Sequence, residues 1–415
     1  MKGSLREWKL SGLLLSAVGI SFIGDFIYLV ALNLFIFAKT DSVAAVAGLW
    51  IIGPIAGIIT GFWAGSLVDR LYKKYIMIIT DIIRGCLVAI IPFLSELWSI
   101  YLLLFVISLC SSFFKPASSA YTVQLVPKDK LLRYNSISSI LITGSLVVGP
   151  AIAGALVQIS SYQAAIWCNA LSFFISGLII LFLPNLHLES EFIERKMKYF
   201  SIILNDLRIV FNFLKKNLYF LAVYILFQFI MTLAIALDSQ EVIFTQKVIG
   251  LTETQFSLLM SITGIGYLVG SLIMSVFASK ITISYLIGLG SILFSAGYII
   301  YAFSTTFFVA SLGFVILGFF SSFANTGFQT FIQKSIPSHQ MARIGTTLSL
   351  FQSSLLIVLI LSAGFLSEAV GVKNLVIGTT LVIAFMAGFL CLLTIVSYTR
   401  QKHSVTPTQI VKEEI

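Results

Sequence analysis

Charge is what this chain lacks most. Only 10% of its 415 residues are Asp, Glu, Lys or Arg, while 58% are hydrophobic and the mean hydropathy is +1.02. A water-facing surface needs roughly a quarter to a third of its residues charged, so a soluble globule is excluded. Cysteine is almost as scarce. Cys86, Cys110, Cys168 and Cys391 fall inside apolar runs at spacings that suit neither a disulfide framework nor a zinc site, and they read as small buried side chains. The three histidines, His187, His339 and His403, are too dispersed for a metal site, and no cofactor is expected. No G-x-x-x-x-G-K-S/T loop is present to cradle a nucleotide, which argues against a primary pump, and nothing reads as an enzyme's catalytic constellation. The Gly-rich run GIGYLVGS from Gly264 lies inside an apolar stretch with no strand before it, which excludes a dinucleotide loop.

What the chain does have is a succession of apolar runs. Their length of about 20 residues matches the ~30 Å hydrocarbon thickness at a helical rise of ~1.5 Å per residue. Twelve transmembrane helices are expected, near 11–37, 43–68, 75–95, 98–119, 136–159, 162–184, 218–237, 255–278, 282–303, 306–331, 345–367 and 374–398. The first run is too long for a signal-peptide core and lacks a small-residue cleavage site, so it is expected to remain a span. With the N-terminus inside, all but four of the 26 Lys and Arg residues fall on the cytoplasmic face; Lys39, Lys247 and Lys373 lie outside and Arg84 lies within a span. The rule that cytoplasmic loops retain basic residues then implies a multi-pass protein of the cell membrane with both termini cytoplasmic. The net charge of +9 is accordingly a topology signal, and no nucleic-acid partner is expected.

The chain also matches itself. At an offset of 210 residues VPKDKLLRYNS, from Val126, falls on IPSHQMARIGT, from Ile336, aligning Pro127 with Pro337 and Arg133 with Arg343; Ala153-Gly154 then meets Ala363-Gly364 without a gap. The reading is an all-α membrane protein of two pseudo-symmetric six-helix bundles, residues 1–184 and 218–398, joined by a cytoplasmic linker, 185–217, and followed by a tail, 399–415. Parallel repeats of this kind place a substrate site near the midplane between them. In the linker, Ile193, Met197, Phe200, Leu204, Leu207, Phe211 and Leu214 recur at alternating steps of four and three, with basic residues between them. That spacing implies an amphipathic helix on the cytoplasmic leaflet, a pattern shared with helices that dock a partner protein.

Between the second and third runs lies GSLVDRLYKK. Gly65, Asp69, Arg70, Lys73 and Lys74 resemble the loop signature of the major facilitator superfamily, with Tyr72 standing where a second glycine is usual. The resemblance implies the major facilitator fold and a gating role: Asp69 accepts from amides at the positive N-terminus of the eleventh helix, near Gly345. In the second half GSLIMSVFASK, from Gly270, has the glycine and no acid, so this latch is expected on one side only. Gly144, Gly149, Pro150 and Gly154 of the fifth helix resemble the superfamily's antiporter signature, which is associated with exporters; glycines at such spacing are equally a helix-packing device. Gly24-Asp25, Asp81-x-x-Arg84, Phe114-x-Pro116 and Asn135-Ser136 resemble the drug:proton antiporter branch that contains the bacterial macrolide exporters.

An ionisable group inside a span is costly unless paired, hydrated or protonated. Asp25, Asp81 and Arg84 are therefore the proton-coupling candidates, although Asp81 and Arg84, three apart on one helix, also suit a structural pair. The fourth helix carries no Arg in its apolar run, unlike many proton-coupled relatives. Asp238 and Glu241 end the seventh run and read as solvated loop acids, or, with Asp238 turned to a cavity, as an attraction for cationic compounds. The other substrate-cavity candidates are Asn33, Phe227, Gln228, Met231, Phe323, Asn325, Gln329 and Gln352.

The resemblance implies a secondary transporter that exports a small amphipathic or hydrophobic compound by proton antiport and alternating access, as a functional monomer whose partners are substrate, protons and the bilayer. A lysophospholipid flippase or siderophore exporter of the same fold is the alternative, and a membrane sensor without flux is an alternative of another class. Asp69→Asn is expected to reduce transport while the protein still inserts, measured as efflux against membrane-fraction abundance; unchanged efflux removes the latch.

Overall fold

Inside hydrocarbon no water satisfies backbone amides and carbonyls, so a chain of apolar runs closes its hydrogen bonds within helices. The computed structural model describes residues 2–61, 64, 67–68, 71–127, 130–186, 210–277, 281–336 and 341–404. Among these residues twelve helices are long and apolar enough to cross a membrane. In chain order they are α1 (Lys2–Thr40), α2 (Val43–Gly61), α3 (Lys73–Ile90), α4 (Leu97–Leu125), α5 (Leu131–Ile159), α6 (Tyr162–Leu181), α7 (Leu218–Asp238), α8 (Glu253–Phe277), α9 (Ile283–Ala302), α10 (Phe307–Ser335), α11 (Met341–Val370) and α12 (Val372–Ser404). Between α7 and α8 run a helical turn, Glu241–Ile243, and a π-helical segment, Phe244–Ile249, closed by Gly250 at φ 82°. The linker helix expected over 193–214 lies almost wholly outside the described residues.

The duplication is visible in the helix boundaries. α2, α3, α4, α5 and α6 begin at Val43, Lys73, Leu97, Leu131 and Tyr162, and α8 to α12 begin 210 residues later, at Glu253, Ile283, Phe307, Met341 and Val372. α4 and α10 run past their expected ends of 119 and 331. They stop at Val126 (φ −89°, ψ 126°) and Ile336 (φ −98°, ψ 125°), each extended because the proline that follows disfavours helical backbone. This register corrects one expectation. With helix starts aligned on both sides, Gly65 and Asp69 correspond to Ser275 and Ser279, so Gly270 is not the counterpart of Gly65, although the second repeat still lacks the acid.

The chain forms two compact units. One comprises Met1–Lys198, Ile235–Gly264 and Ser349–Leu375, the other Tyr199–Ala234, Ile265–Leu348 and Val376–Ile415. In the first, α1 packs on α5 and α6, α3 on α4 and α6, and α2 on α4. In the second, α9 and α10 pack closely, and α7 meets α10 through rings: Phe227 stacks on Phe328 at 3.9 Å and Phe220 on Phe331 at 5.5 Å. Gly266 and Gly270, one turn apart, bring α8 onto the α10 backbone at Val315 and Phe319, which accounts for two glycines of GIGYLVGS. The cysteines are free, with Cys110 and Cys391 buried and Cys168 half-buried. Cys86 departs from the expected burial and lies on the protein's outer surface, where an apolar side chain in a span meets lipid without cost.

Two glycines set the position of α1. A Cβ at Gly149 of α5 would meet Phe26 Cβ at 2.5 Å and the Ile27 nitrogen at 3.2 Å, and one at Gly24 would overlap Ser172 and Asn169 of α6. At Gly144 the same atom meets nothing within 4 Å. Gly149→Ala is expected to lower stability by about 1–3 kcal/mol through overpacking against α1, and Gly144→Ala to leave it unchanged or raised. Thermal unfolding in detergent reads the difference, and equal midpoints would remove the packing assignment.

Candidate functional site

The acids and the arginine kept inside the spans gather on three neighbouring helices. Asp81 is fully buried and Arg84 is 4% exposed, and one turn of α3 lets Arg84 Nη2 donate to Asp81 Oδ1. The second carboxylate oxygen accepts from Ser176 Oγ of α6 at 2.7 Å. The guanidinium plane lies between the rings of Phe114 of α4, at 4.4 Å, and Phe173 of α6, at 4.3 Å. Arg84 Nη1 is 3.5 Å from Ser111 Oγ, and its Nε has no hydrogen-bond partner among the described residues. Two aromatic rings and a carboxylate thus hold the cation.

Asp25 lies on α1 beside this pair. Arg84, Asp81 and Lys115 all act on it electrostatically, and Asn169 of α6 lies against it. Asn169 is fully buried, yet its Nδ2 makes no hydrogen bond of normal geometry; Ser172 Oγ donates to its Oδ1 at 3.1 Å. The Tyr28 hydroxyl, one turn from Asp25, is also buried without a partner. One face of α6, carrying Asn169, Ser172, Phe173 and Ser176, thus touches both Asp25 and the α3 ion pair. None of these four was singled out from sequence. The usable signal was three polar residues at helical spacing in an otherwise apolar span, since such groups face protein.

A second set of polar contacts lies within the same unit at the loop end of α1 and α2. Asp41, at φ 49° just past α1, pairs with Lys247 at 2.7 Å, both groups being well exposed. Tyr162 donates to the Glu253 carboxylate, joining the first turns of α6 and α8. In the same unit Ala47 and Ile51 of α2, Ala236 of α7, Ile360 and Ala363 of α11 and Leu375 of α12 form an apolar cluster. A cavity of about 60 Å³ beside it is lined by small groups such as Ala44, Gly48 and Gly364. Gly154 of α5 abuts Ser257 of α8, so two residues of the antiporter signature are tight packing points, at α1 and at α8. Pro150 is buried within the continuous α5. Glu241, read from sequence as a solvated loop acid, is only 6% exposed. Burial pushes its carboxyl well above the usual carboxylate range, and Asp238 nearby pushes it the same way.

Other candidates fall elsewhere. Gly65, Asp69 and Arg70 lie outside the described residues. Lys73 is half-buried, and Lys74 donates to the carbonyls of Leu181 and Leu183 at 3.0 and 2.6 Å, capping the negative end of α6. Asn33 donates to Leu29 at 2.6 Å and accepts from Trp50 at 3.1 Å, so it ties α1 to α2. Gln228 donates to the Tyr224 hydroxyl, and Asn325 to the Ser321 carbonyl. Phe227 is buried in the ring stack; Met231, Phe323, Asp238 and Gln352 are half-buried and Gln329 is exposed. Phe227, Gln228, Met231, Phe323, Asn325 and Gln329 belong to the second unit, while Asn33, Asp238 and Gln352 belong to the first.

Duplicated helices with acids retained inside the spans define a polytopic membrane transporter. The sequence profile of the Major Facilitator Superfamily matches residues 14–358, and the chain belongs to that family. It is 35% identical over 173 residues to the uncharacterized MFS-type transporter YfiS of Bacillus subtilis, covering 41% of this chain and 42% of that one. It is 30% identical over 181 residues to macrolide efflux protein A of Streptococcus pyogenes, covering 42% and 45%. Against the putative bacilysin exporter BacE of Bacillus subtilis it is 31% identical over 203 residues, covering 47% and 50%. These alignments span half or less of each relative's own length. The fold is similar to that of a bacterial homolog of the human lysosomal transporter Spinster, solved in an inward-facing, unoccupied conformation, with TM-score 0.74, 14% identity and coverage of 97% of this chain and 99% of that one. Nucleoside transporter NupG gives 0.69, 16%, 93% and 98%.

The contacts at the loop end of α1 and α2 differ in strength. The Tyr162–Glu253 bond is charge-assisted and half-buried, which is worth about 1.5–3 kcal/mol, whereas an exposed pair such as Asp41–Lys247 contributes about 1 kcal/mol or less. Tyr162→Phe is therefore expected to lower the thermal midpoint more than Asp41→Asn does, and the reverse order would overturn this ranking.

Proposed function

We propose that this protein exports a small amphipathic or hydrophobic compound from the cytoplasm in exchange for protons, by alternating access. The observation that carries the reading is Asp25, a carboxyl within α1 beside Asn169 of α6, in a helix whose position is set by glycine contacts on two sides. An acid in that setting changes charge only by taking or releasing a proton, and each charge state favours different surroundings. Export is supported by the fifth-helix glycines and by the similarity to proteins named for macrolide efflux and for bacilysin export. The distribution of Lys and Arg supports cytoplasmic termini, with the two six-helix sets joined by the 185–217 linker on that side.

In this cycle Asp69 latches the cytoplasmic side and the Asp41–Lys247 and Tyr162–Glu253 contacts belong to the outer side. Asp238, Phe323, Gln329 and Gln352 remain candidates for meeting substrate, and Asn33 serves as packing. The protein works as a monomer.

Reconstituted vesicles with an imposed pH gradient test the exchange. Wild-type protein should accumulate cationic or neutral amphipathic probes uphill and lose them on addition of a protonophore. Asp25→Asn should bind probe and no longer drive uphill movement. Full gradient-driven accumulation by that variant would rule out Asp25 as the carrier.

A further inference from the structure

We infer that a polar recess where α5 ends and α8 begins is a second ligand site, one that takes a small polyhydroxylated ammonium compound of the amino-sugar class. It is separate from the proposed proton exchange and does not rest on it.

The recess has a volume of about 650 Å³, within the roughly 300–1,000 Å³ usual for small-molecule sites. It is lined by Gln158 from the last turn of α5, by Gln246 of the π-helical segment, and by Thr252, Glu253 and Gln255 at the start of α8. All of these belong to the first unit. One turn deeper, α5 and α8 are in close contact, since a Cβ on Gly154 would stand 2.7 Å from Ser257 Cβ. Beyond that contact the recess lies between the two helix ends. The α5 span ends at Ile159 and the α8 span begins at Glu253, so the recess sits at the membrane–water boundary, on the side that the Lys and Arg distribution reads as outer.

The chemistry of the lining selects the ligand. Its polar groups other than Glu253 are carboxamides and threonine hydroxyls. Such groups both donate and accept, as the hydroxyls of a sugar do, whereas an apolar compound covering them would leave them unpaired. Among the described lining residues Glu253 carries the one charge. Lys247, next to Gln246 in sequence, does not line the recess; it pairs with Asp41 and lies 5.2 Å from the centre of the Phe37 ring.

The polar groups are also held in place. Tyr162 donates to one oxygen of the Glu253 carboxylate, which orients the group and leaves the lone pairs of the other oxygen for a cation. Thr252 and Gln255 form a reciprocal cap: the Thr252 amide donates to Gln255 Oε1 at 3.0 Å, and the Gln255 amide donates to Thr252 Oγ1 at 3.2 Å. Both bonds use the side chains as acceptors, so the Gln255 amide nitrogen and the Thr252 hydroxyl keep their hydrogens to donate. Gln246 Nε2 is a further donor, buried and without a hydrogen-bond partner among the described residues. A fixed carboxylate beside unspent donors matches an ammonium flanked by hydroxyls. An occupant touching both α5 and α8 stabilises the state in which these helix ends lie together.

The test is calorimetric titration and thermal unfolding of the full chain in detergent, with glucosamine, N-acetylglucosamine and ethanolamine as probes, at a pH that keeps both free amines protonated. Glucosamine should bind saturably and raise the thermal midpoint. N-acetylglucosamine keeps the hydroxyls without the charge, ethanolamine the charge with a single hydroxyl, and each should bind about tenfold more weakly. Glu253→Gln should abolish the preference for glucosamine over its acetylated form. Gln158→Ala changes an exposed side chain, so it should keep the wild-type midpoint without ligand and weaken glucosamine several-fold, which decides the matter even if Glu253→Gln fails to fold. Absence of saturable glucosamine binding, equal affinity for either of the other probes, or binding that neither variant weakens overturns the proposal.

Discussion

An ionised side chain inside hydrocarbon has to be matched by another group whose position does not drift, and Asp81 with Arg84 answers that requirement in this protein. The consequences spread outward from α3. Phe114 of α4 and Phe173 of α6 both lie over the guanidinium and Ser176 of α6 donates to the carboxylate, so that α4 and α6 are tied to α3. α6 in turn supports α1 through Ser172 and Asn169, and α5 closes on α1 from another side through Gly149.

The second repeat shows how little of this the fold itself demands. Its helices start in the same register, yet the equivalent of Arg84 is Phe294, packed edge to face on Tyr298 at 5.2 Å. Close approach there relies on small residues and stacked rings: Gly297 against Gly313, and Phe227 on Phe328. Lipid tails are as apolar as the helices, so association in a bilayer follows from such fit and from a few polar contacts. At the positions of Asp81 and Arg84 the helix starts of the two repeats are in register and the charges differ.

Hydropathy made the number and placement of the helices legible, because apolar length is the direct requirement of a span. The duplication was legible through Pro127 and Pro337, whose effect on Val126 and Ile336 ends α4 and α10 at matching points. The glycine of GSLIMSVFASK misled the alignment, since similar small residues recur along any closely packed helix and only the helix starts fixed the register. The pairing of Asp81 with Arg84 was readable from a spacing of three. Its setting was not. Phe114 and Phe173 are two among 36 phenylalanines, and nothing local distinguishes a ring that faces a cation from one that faces lipid. Glu241 was misread for a related reason: an acid beyond the end of a span looks solvated until the helical segment that follows is seen to be buried from Glu241 to Thr245.

The polar and apolar groups at the loop end of α1 and α2 are of a different kind from those around Arg84. The Asp41–Lys247 pair is open to solvent, and half of the six buried residues in the apolar cluster of the same unit are alanines, Ala47, Ala236 and Ala363. Weak pairs and small side chains suit a surface that separates and re-forms at modest cost, because water solvates both members of an exposed pair once they part. The buried pair has no such substitute, since parting it would leave an unpaired charge in a medium that cannot solvate it.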